Sequence, residues 1–348
     1  MRPLLSILFV LLFSLPATAQ QARIWTTKKA WKWQAENGWR VGANFNPSTA
    51  INQMEMWQAE TFDPATIRRE LTWASDLGMN AMRVYLHNLA WESDPEGLKQ
   101  RMREYLTIAD ELGIKTIFVL FDDCWNNNPK TGPQPDPVPG VHNSGWVQAP
   151  GVGRVTDSTT WAPLKAYTQD ILRSFGKDRR IMMWDLYNEP GNSGYLVSSM
   201  PLLKAVFRWA WEVRPSQPLT CATWNAAYTE LNAFQLASSD VITFHNYSDS
   251  ASLRREILEL QRHGRPILCS EYMARTNNSR FETCLPVLKQ YGVGAINWGL
   301  VSGRSNTIFP WGSKEGSPEP KVWFHDIFRA DGTPFSPEEV AFIREMLK

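Results

Sequence analysis

The chain has 348 residues, and its 36 Lys and Arg against 35 Asp and Glu give a formal net charge of +1. So even a balance offers no electrostatic reason to expect nucleic acid or an anionic membrane surface as partner. The length suits one large α/β domain with a sizeable core, and no internal repeat or linker divides it.

The first residues, MRPLLSILFVLLFSLPATAQ, carry one Arg, an apolar run from Leu4 to Leu15 and small residues at Ala17 and Ala19. This is the pattern of a secretory signal peptide over 1–19, cut after Ala19. The run falls short of the about 20 residues of a membrane span. The expected mature protein, 20–348, is soluble, free of the membrane, and secreted or periplasmic.

From Val41 onward short β-branched or aromatic runs alternate with longer amphipathic stretches, the pattern of βα repetition and a parallel sheet. Strands are expected at Val41–Phe45, Ala81–Leu86, Thr116–Phe121, Ile181–Tyr187, Leu219–Thr223, Val241–His245, Pro266–Ser270 and Ala295–Trp298. Helices fit between them. Pro64–Leu77 follows Asp63, and Pro95–Leu112 follows Asp94, each an acidic cap with Pro at the first helical position. Others are expected at 162–175, 201–213, 229–236, 252–263, 280–291 and 337–347. The fold class is therefore α/β, a single-domain (β/α)8 TIM barrel. Surplus length falls in two loops, Asn46–Asp63 and Asp122–Trp161, both leaving the strand ends where barrel sites are built. The second is rich in Pro, Gly and Asn; a disordered insertion is one reading, but Trp125, His142 and Trp146 favour an ordered wall.

Two carboxylates end apolar runs: Glu189 in WDLYNEP and Glu271 in ILCSEY. A glycosidase needs such a pair, one held protonated to help a leaving oxygen depart and one ionised to attack or stabilise an oxocarbenium-like carbon. They are 82 residues apart (271 − 189). At about 31 residues per unit in a barrel of roughly 250 residues, that places them on strands 4 and 7. Across a barrel mouth they approach about 5 Å, the spacing at which one acts as nucleophile and configuration is retained. The 17 Trp residues fit a glycan partner, since sugar rings stack on indoles, although part of that count serves packing. Cys124, Cys221, Cys269 and Cys284 form no C-x-x-C pair, and no His cluster lies nearby, so neither metal nor cofactor is implied. Disulfides are open to an exported chain; buried free thiols are the plainer reading for Cys221 and Cys269.

With Asn-Glu-Pro closing a fourth strand and Glu closing a seventh, the chain resembles the retaining (β/α)8 glycoside hydrolases of the clan that includes family 5, the cellulase and mannanase-like enzymes. The resemblance implies that Glu189 is the acid/base, Glu271 the nucleophile, and Asn188 the binder of the hydroxyl beside the reacting carbon. It identifies Arg83 with the Arg that steadies the nucleophile, where an ordinary interior ion pair is the alternative. It matches His245 and Tyr247 to a His-x-Tyr pair after strand 6, with Tyr247 donating to Glu271. Trp298 resembles the Trp that floors the subsite on the non-reducing side of the cut. Trp224, Trp125 and Trp91 are further candidate platforms, with packing as the alternative, and His87 reaches toward the mouth. Strand 7 departs from the family in reading Ser-Glu-Tyr rather than Gly-Glu-Phe.

The expected activity is a retaining β-glycoside hydrolase acting on a mannan-, glucan- or xylan-type substrate, with an exo-β-glycosidase or a transglycosylase as the alternative. A noncatalytic glycan-binding barrel ordinarily loses one carboxylate, and both are present. A metal-dependent isomerase on this barrel needs clustered ligands that five His residues do not supply. The sequence specifies no oligomeric state.

Overall fold

A computed structural model describes residues 23–348. The expected signal peptide lies outside the described residues. Eight parallel strands form one sheet: β1 (Val41–Asn44), β2 (Ala81–Tyr85), β3 (Lys115–Val119), β4 (Ile181–Asp185), β5 (Leu219–Thr220), β6 (Ile242–His245), β7 (Ile267–Glu271) and β8 (Gly294–Trp298). Their order, β5-β4-β3-β2-β1-β8-β7-β6, leaves only β5 and β6 without a regular ladder. A parallel bridge just past β5 closes that gap: Thr223 N donates to Thr243 O (3.1 Å) and His245 N to Thr223 O (2.9 Å). The result is a single-domain (β/α)8 barrel. The expected strand 5, Leu219–Thr223, is thus a two-residue strand followed by this bridge.

The helices are α1 (Thr27–Asn37), α2 (Gln53–Trp57), α3 (Pro64–Asp76), α4 (Asn88–Ser93), α5 (Pro95–Glu111), α6 (Trp161–Phe175), α7 (Met200–Val213), α8 (Thr229–Ser238), α9 (Ser250–Leu260), α10 (Phe281–Gln290) and α11 (Pro337–Met346). The acidic caps act as expected, Asp63 Oδ1 accepting from Thr66 N and Asp94 Oδ1 from Gly97 N, both at 3.0 Å. Three helices were not anticipated: α1, α2 inside the 46–63 segment read as loop, and α4 between the second strand and the helix expected after it.

Alternation along each strand splits the side chains between two environments. On β2, Met82 and Val84 face the helical layer, where the main core lies, while Ala81, Arg83 and Tyr85 point into the barrel. The barrel interior is layered. Its lower layer is apolar, with Ala81, Ile117, Met183, Leu268 and Ile296 packed together and Trp33 of α1 set against them. Above it Arg83 and Asp185 make a polar layer, and the carboxylates stand at the mouth.

Candidate active site

Glu271 ends β7, where the register with β6 shifts between Phe244 and His245. One carboxylate oxygen accepts from Arg83 Nη1 (2.7 Å) and Tyr85 OH (2.8 Å), the other from Tyr247 OH (2.7 Å). With three donors directed at it, Glu271 is hydrogen-bonded as an anion. Arg83 is fixed in turn by Asp185 Oδ2 at 3.0 and 2.7 Å, Asn44 Oδ1 at 2.8 Å and Asn188 Oδ1 at 2.8 Å. Burial alone would favour its neutral form, but Tyr85, Asp185 and Glu271 hold the guanidinium well above its ordinary pKa. Burial, reinforced by the charge of Glu271, likewise pushes the Tyr247 phenol up, so its hydroxyl stays a donor.

Glu189 follows β4 with a backbone φ of 44°, a left-handed conformation that a non-glycine residue adopts only when its surroundings impose it. The neighbours supply that constraint. Asp123 accepts from Gly191 N (2.8 Å), Ser199 Oγ (2.5 Å) and Tyr187 OH (2.6 Å), bracing the turn on both sides of Glu189. The Glu189 carboxylate meets His245 Nδ1 at 2.8 Å, Asn192 Nδ2 at 2.5 Å and Cys124 Sγ at 3.4 Å. Burial pushes Glu189 up, but the hydrogen bond and charge of His245, helped by Asn192 and Cys124, outweigh it and hold the carboxyl below its ordinary value. Glu189 Oε1 and His245 Nδ1 thus form one hydrogen-bonded pair, and the shift is the reverse of the carboxyl held protonated that the sequence reading expects of one member of the pair.

One oxygen of Glu189, one of Glu271 and a ring nitrogen of His245 lie within 4.8 Å of one another. Among the described residues this is the one cluster with metal-like spacing. Its oxygens already accept from protein donors, and the Arg83 cation sits 2.7 Å from Glu271, so the donor set suits an acid–base pair rather than a cation cage. Two carboxylates this close, one bonded by three donors and one by the His245 ring, can act on a single reacting centre between them.

A cavity of about 890 Å³ opens over the pair. Asn188, His245, Tyr247, Trp298, Trp224 and Trp125 line it, as do His142 and Trp146 of the long loop, which is an ordered wall. Arg83 lies beneath Glu271. Trp298 stands edge-on to Tyr85 and Trp146, with ring centres 5.8 Å away in each case. Trp224 donates to Pro190 O (3.1 Å). Trp125 remains 44% exposed at the rim, and Trp311 is 42% exposed while packed edge-on against Tyr247 and Phe324.

Two expectations fail. His87 does not reach the mouth: fully buried, it caps α4 by accepting from Leu89 N (3.0 Å), and its Nε2 meets Gln148 O (2.9 Å). Burial pushes it down to about 4, so it is neutral. Trp91 is no platform, because α4 carries it outward to donate to Asp170 on α6 (2.7 Å) and pack on Tyr167. Other site residues went unread. Tyr85 shares a strand face with Arg83 two residues earlier, a signal that was available. Asp122 accepts from Asn188 Nδ2 (2.9 Å) and Trp146 Nε1 (2.7 Å), and burial pushes it up to about 8. Trp311 and His325 come from the irregular segment after β8, which has no periodicity to read. All four cysteines are free and buried.

The sequence model of the cellulase family, glycosyl hydrolase family 5, matches residues 41–303. No curated protein matches the sequence. Among solved structures, the endo-1,4-β-D-mannanase of Thermotoga petrophila is 16% identical with a TM-score of 0.57, the match covering 89% of this chain and 99% of that one. The exo-β-1,4-mannosidase Op5Man5 of an Opitutaceae bacterium is 18% identical at a TM-score of 0.58, with 88% and 59% covered. A variant of a GH5_18 protein from Bifidobacterium longum, in complex with Manβ1-4GlcNAc, is 14% identical at a TM-score of 0.60, with 89% and 78% covered. At such identities the likeness is one of fold.

Proposed function

The chain belongs to glycosyl hydrolase family 5 and hydrolyses O-glycosyl bonds, and from that premise we propose that it is a retaining β-glycoside hydrolase working by double displacement. The observation that carries this reading is the short approach of the two carboxylates, within 4.8 Å between oxygens. Retaining enzymes set the pair about 5–5.5 Å apart, whereas inverting ones leave about 6.5–9.5 Å for a water. Glu271, bonded as an anion, attacks the anomeric carbon while Glu189, in its protonated form, gives its proton to the departing oxygen. Glu189 then takes a proton from water, whose oxygen displaces Glu271 from the sugar. Asn188, held by Arg83 and Asp122, presents its amide to the hydroxyl beside the reacting carbon. The substrate is a β-linked glycan of mannan, glucan or xylan type; the mannoside-active proteins among the fold relatives make β-mannosides the first to try. The apolar segment at 1–19 supports export to the periplasm or medium.

The test is Glu189→Ala on paired substrates. Natural sugar leaving groups, which need protonation, should suffer far more than activated aryl glycosides, and azide should restore turnover and yield a β-glycosyl azide. Equal loss on both substrates without azide rescue would contradict the assignment, and an α-azide would overturn retention.

A further inference from the structure

The cavity is lopsided, and its asymmetry bears on the chemistry. A glycosidic oxygen leaves on the side of the group that protonates it, so the leaving group lies toward Glu189 and the attacked sugar over Glu271. On the Glu189 side the cavity continues past Trp224 to Asn225 and Asn232, and to Arg255 and Glu259 on α9. On the other side it ends at Trp146, Trp298, Asn143 and Trp311, and no residue of the segments following β1 and β2 lines it.

What ends it is a seam. The 122–161 segment crosses the mouth and is bonded to the loops of two other strands. Toward the β1 loop, Asn52 Nδ2 donates to Gly145 O (2.8 Å), Gln53 Nε2 to Val147 O (2.5 Å), and Gln58 and Gly132 exchange bonds of 2.9 and 2.6 Å. Toward the β8 loop, Asn143 N donates to Ser305 O (2.9 Å), Gly316 N donates to Pro139 O (2.9 Å), and His142 Nδ1 lies 2.6 Å from Phe309 O. Gly140, at φ 78°, approaches so closely that a Cβ there would lie 2.5 Å from Ser317 N. Arg304 ties all three segments, 3.1 Å from Glu55 and 3.3 Å from Asp136.

Building on the glycosidase reading above, we infer that the enzyme is exo-acting. It takes one non-reducing terminal sugar over Glu271, against the seam, while the rest of a β-linked chain lies along the lobe between Trp224 and α9. An internal cut needs chain on both sides of the carboxylate pair, and the seam occupies one of those sides. Each cycle breaks one C1–O bond, consumes one water and releases one free sugar and a chain one residue shorter.

The test uses β-1,4-mannohexaose, cellohexaose and xylohexaose, each labelled with 2-aminobenzamide at the reducing end, with labelled products separated early in the reaction. The expected products from whichever is cleaved are labelled pentasaccharide and free monosaccharide in equal amounts, and a 4-O-methyl cap on the non-reducing terminal sugar abolishes release. Labelled di- and trisaccharides at the earliest times would overturn exo action and leave the glycosidase reading standing. No cleavage of any hexasaccharide or of the matching aryl β-glycosides would overturn both.

Discussion

Glu271 is defined by its donors as much as by its own position. Tyr85 and Tyr247 approach opposite carboxylate oxygens at 2.8 and 2.7 Å, and both bonds are made to a buried charge. A hydrogen bond to a charged group contributes about 1.5–3 kcal/mol. Tyr85→Phe or Tyr247→Phe should therefore lower kcat/KM by about 10- to 100-fold with the fold retained, at a melting temperature no higher than the parent's, with the double variant losing more than either. Steady-state kinetics beside a melting curve checks this; unaltered rates in both single variants would mean that neither hydroxyl bears on the work of Glu271. The residues that sequence spacing located well, such as Asn188, His245 and Trp298, sit at strand ends, where one unit of βα repetition fixes their place at the mouth. Distance from a strand end misled for His87 and Trp91, because α4 begins at Asn88 and turns the chain away from the cleft.

Among the elements, α3 and the β1 loop are joined by a buried carboxylate. Glu70 on α3 accepts from Ser48 N at 3.1 Å and from the Ser48 hydroxyl, and burial pushes it up to about 7 against these bonds. Asp122 and Asp123, pushed up to about 8 and about 6 by burial, behave alike. A carboxyl whose folded pKa exceeds its unfolded value binds more protons when folded, so its contribution to stability is full at low pH and is lost as pH rises through the folded value. Melting temperature should fall between pH 5 and 8, and Glu70→Gln, which cannot ionise, should flatten the part of that fall between about pH 5 and 7. Parallel curves for the parent and the variant would show that Glu70 does not titrate in this range. The strands and the capped helices were legible because short β-branched or aromatic runs and Asp-Pro caps are local signals. By contrast α2, five residues long, is held by Trp57, fully buried and donating to Tyr85 O at 2.7 Å, a contact no local pattern encodes.

For the whole molecule, the barrel separates stability from chemistry along its axis. Trp33 and an apolar layer close one end, Arg83 and Asp185 fill the middle, and the carboxylates with their aromatic wall occupy the other. The repeat count and the fold class were readable from the alternation of runs. The closure of the cleft was not, because it depends on hydrogen bonds between segments more than 80 residues apart, as from Asn52 to Gly145 and Asn143 to Ser305. The central claim, a covalent glycosyl-enzyme on Glu271 formed beside Glu189, is tested most directly by trapping. The enzyme is inactivated with the 2-deoxy-2-fluoro β-glycosyl fluoride of its preferred sugar, digested and sequenced by mass spectrometry. One fluoroglycosyl group per chain, on the peptide bearing Glu271, is the predicted result; a label on any other carboxylate would contradict it.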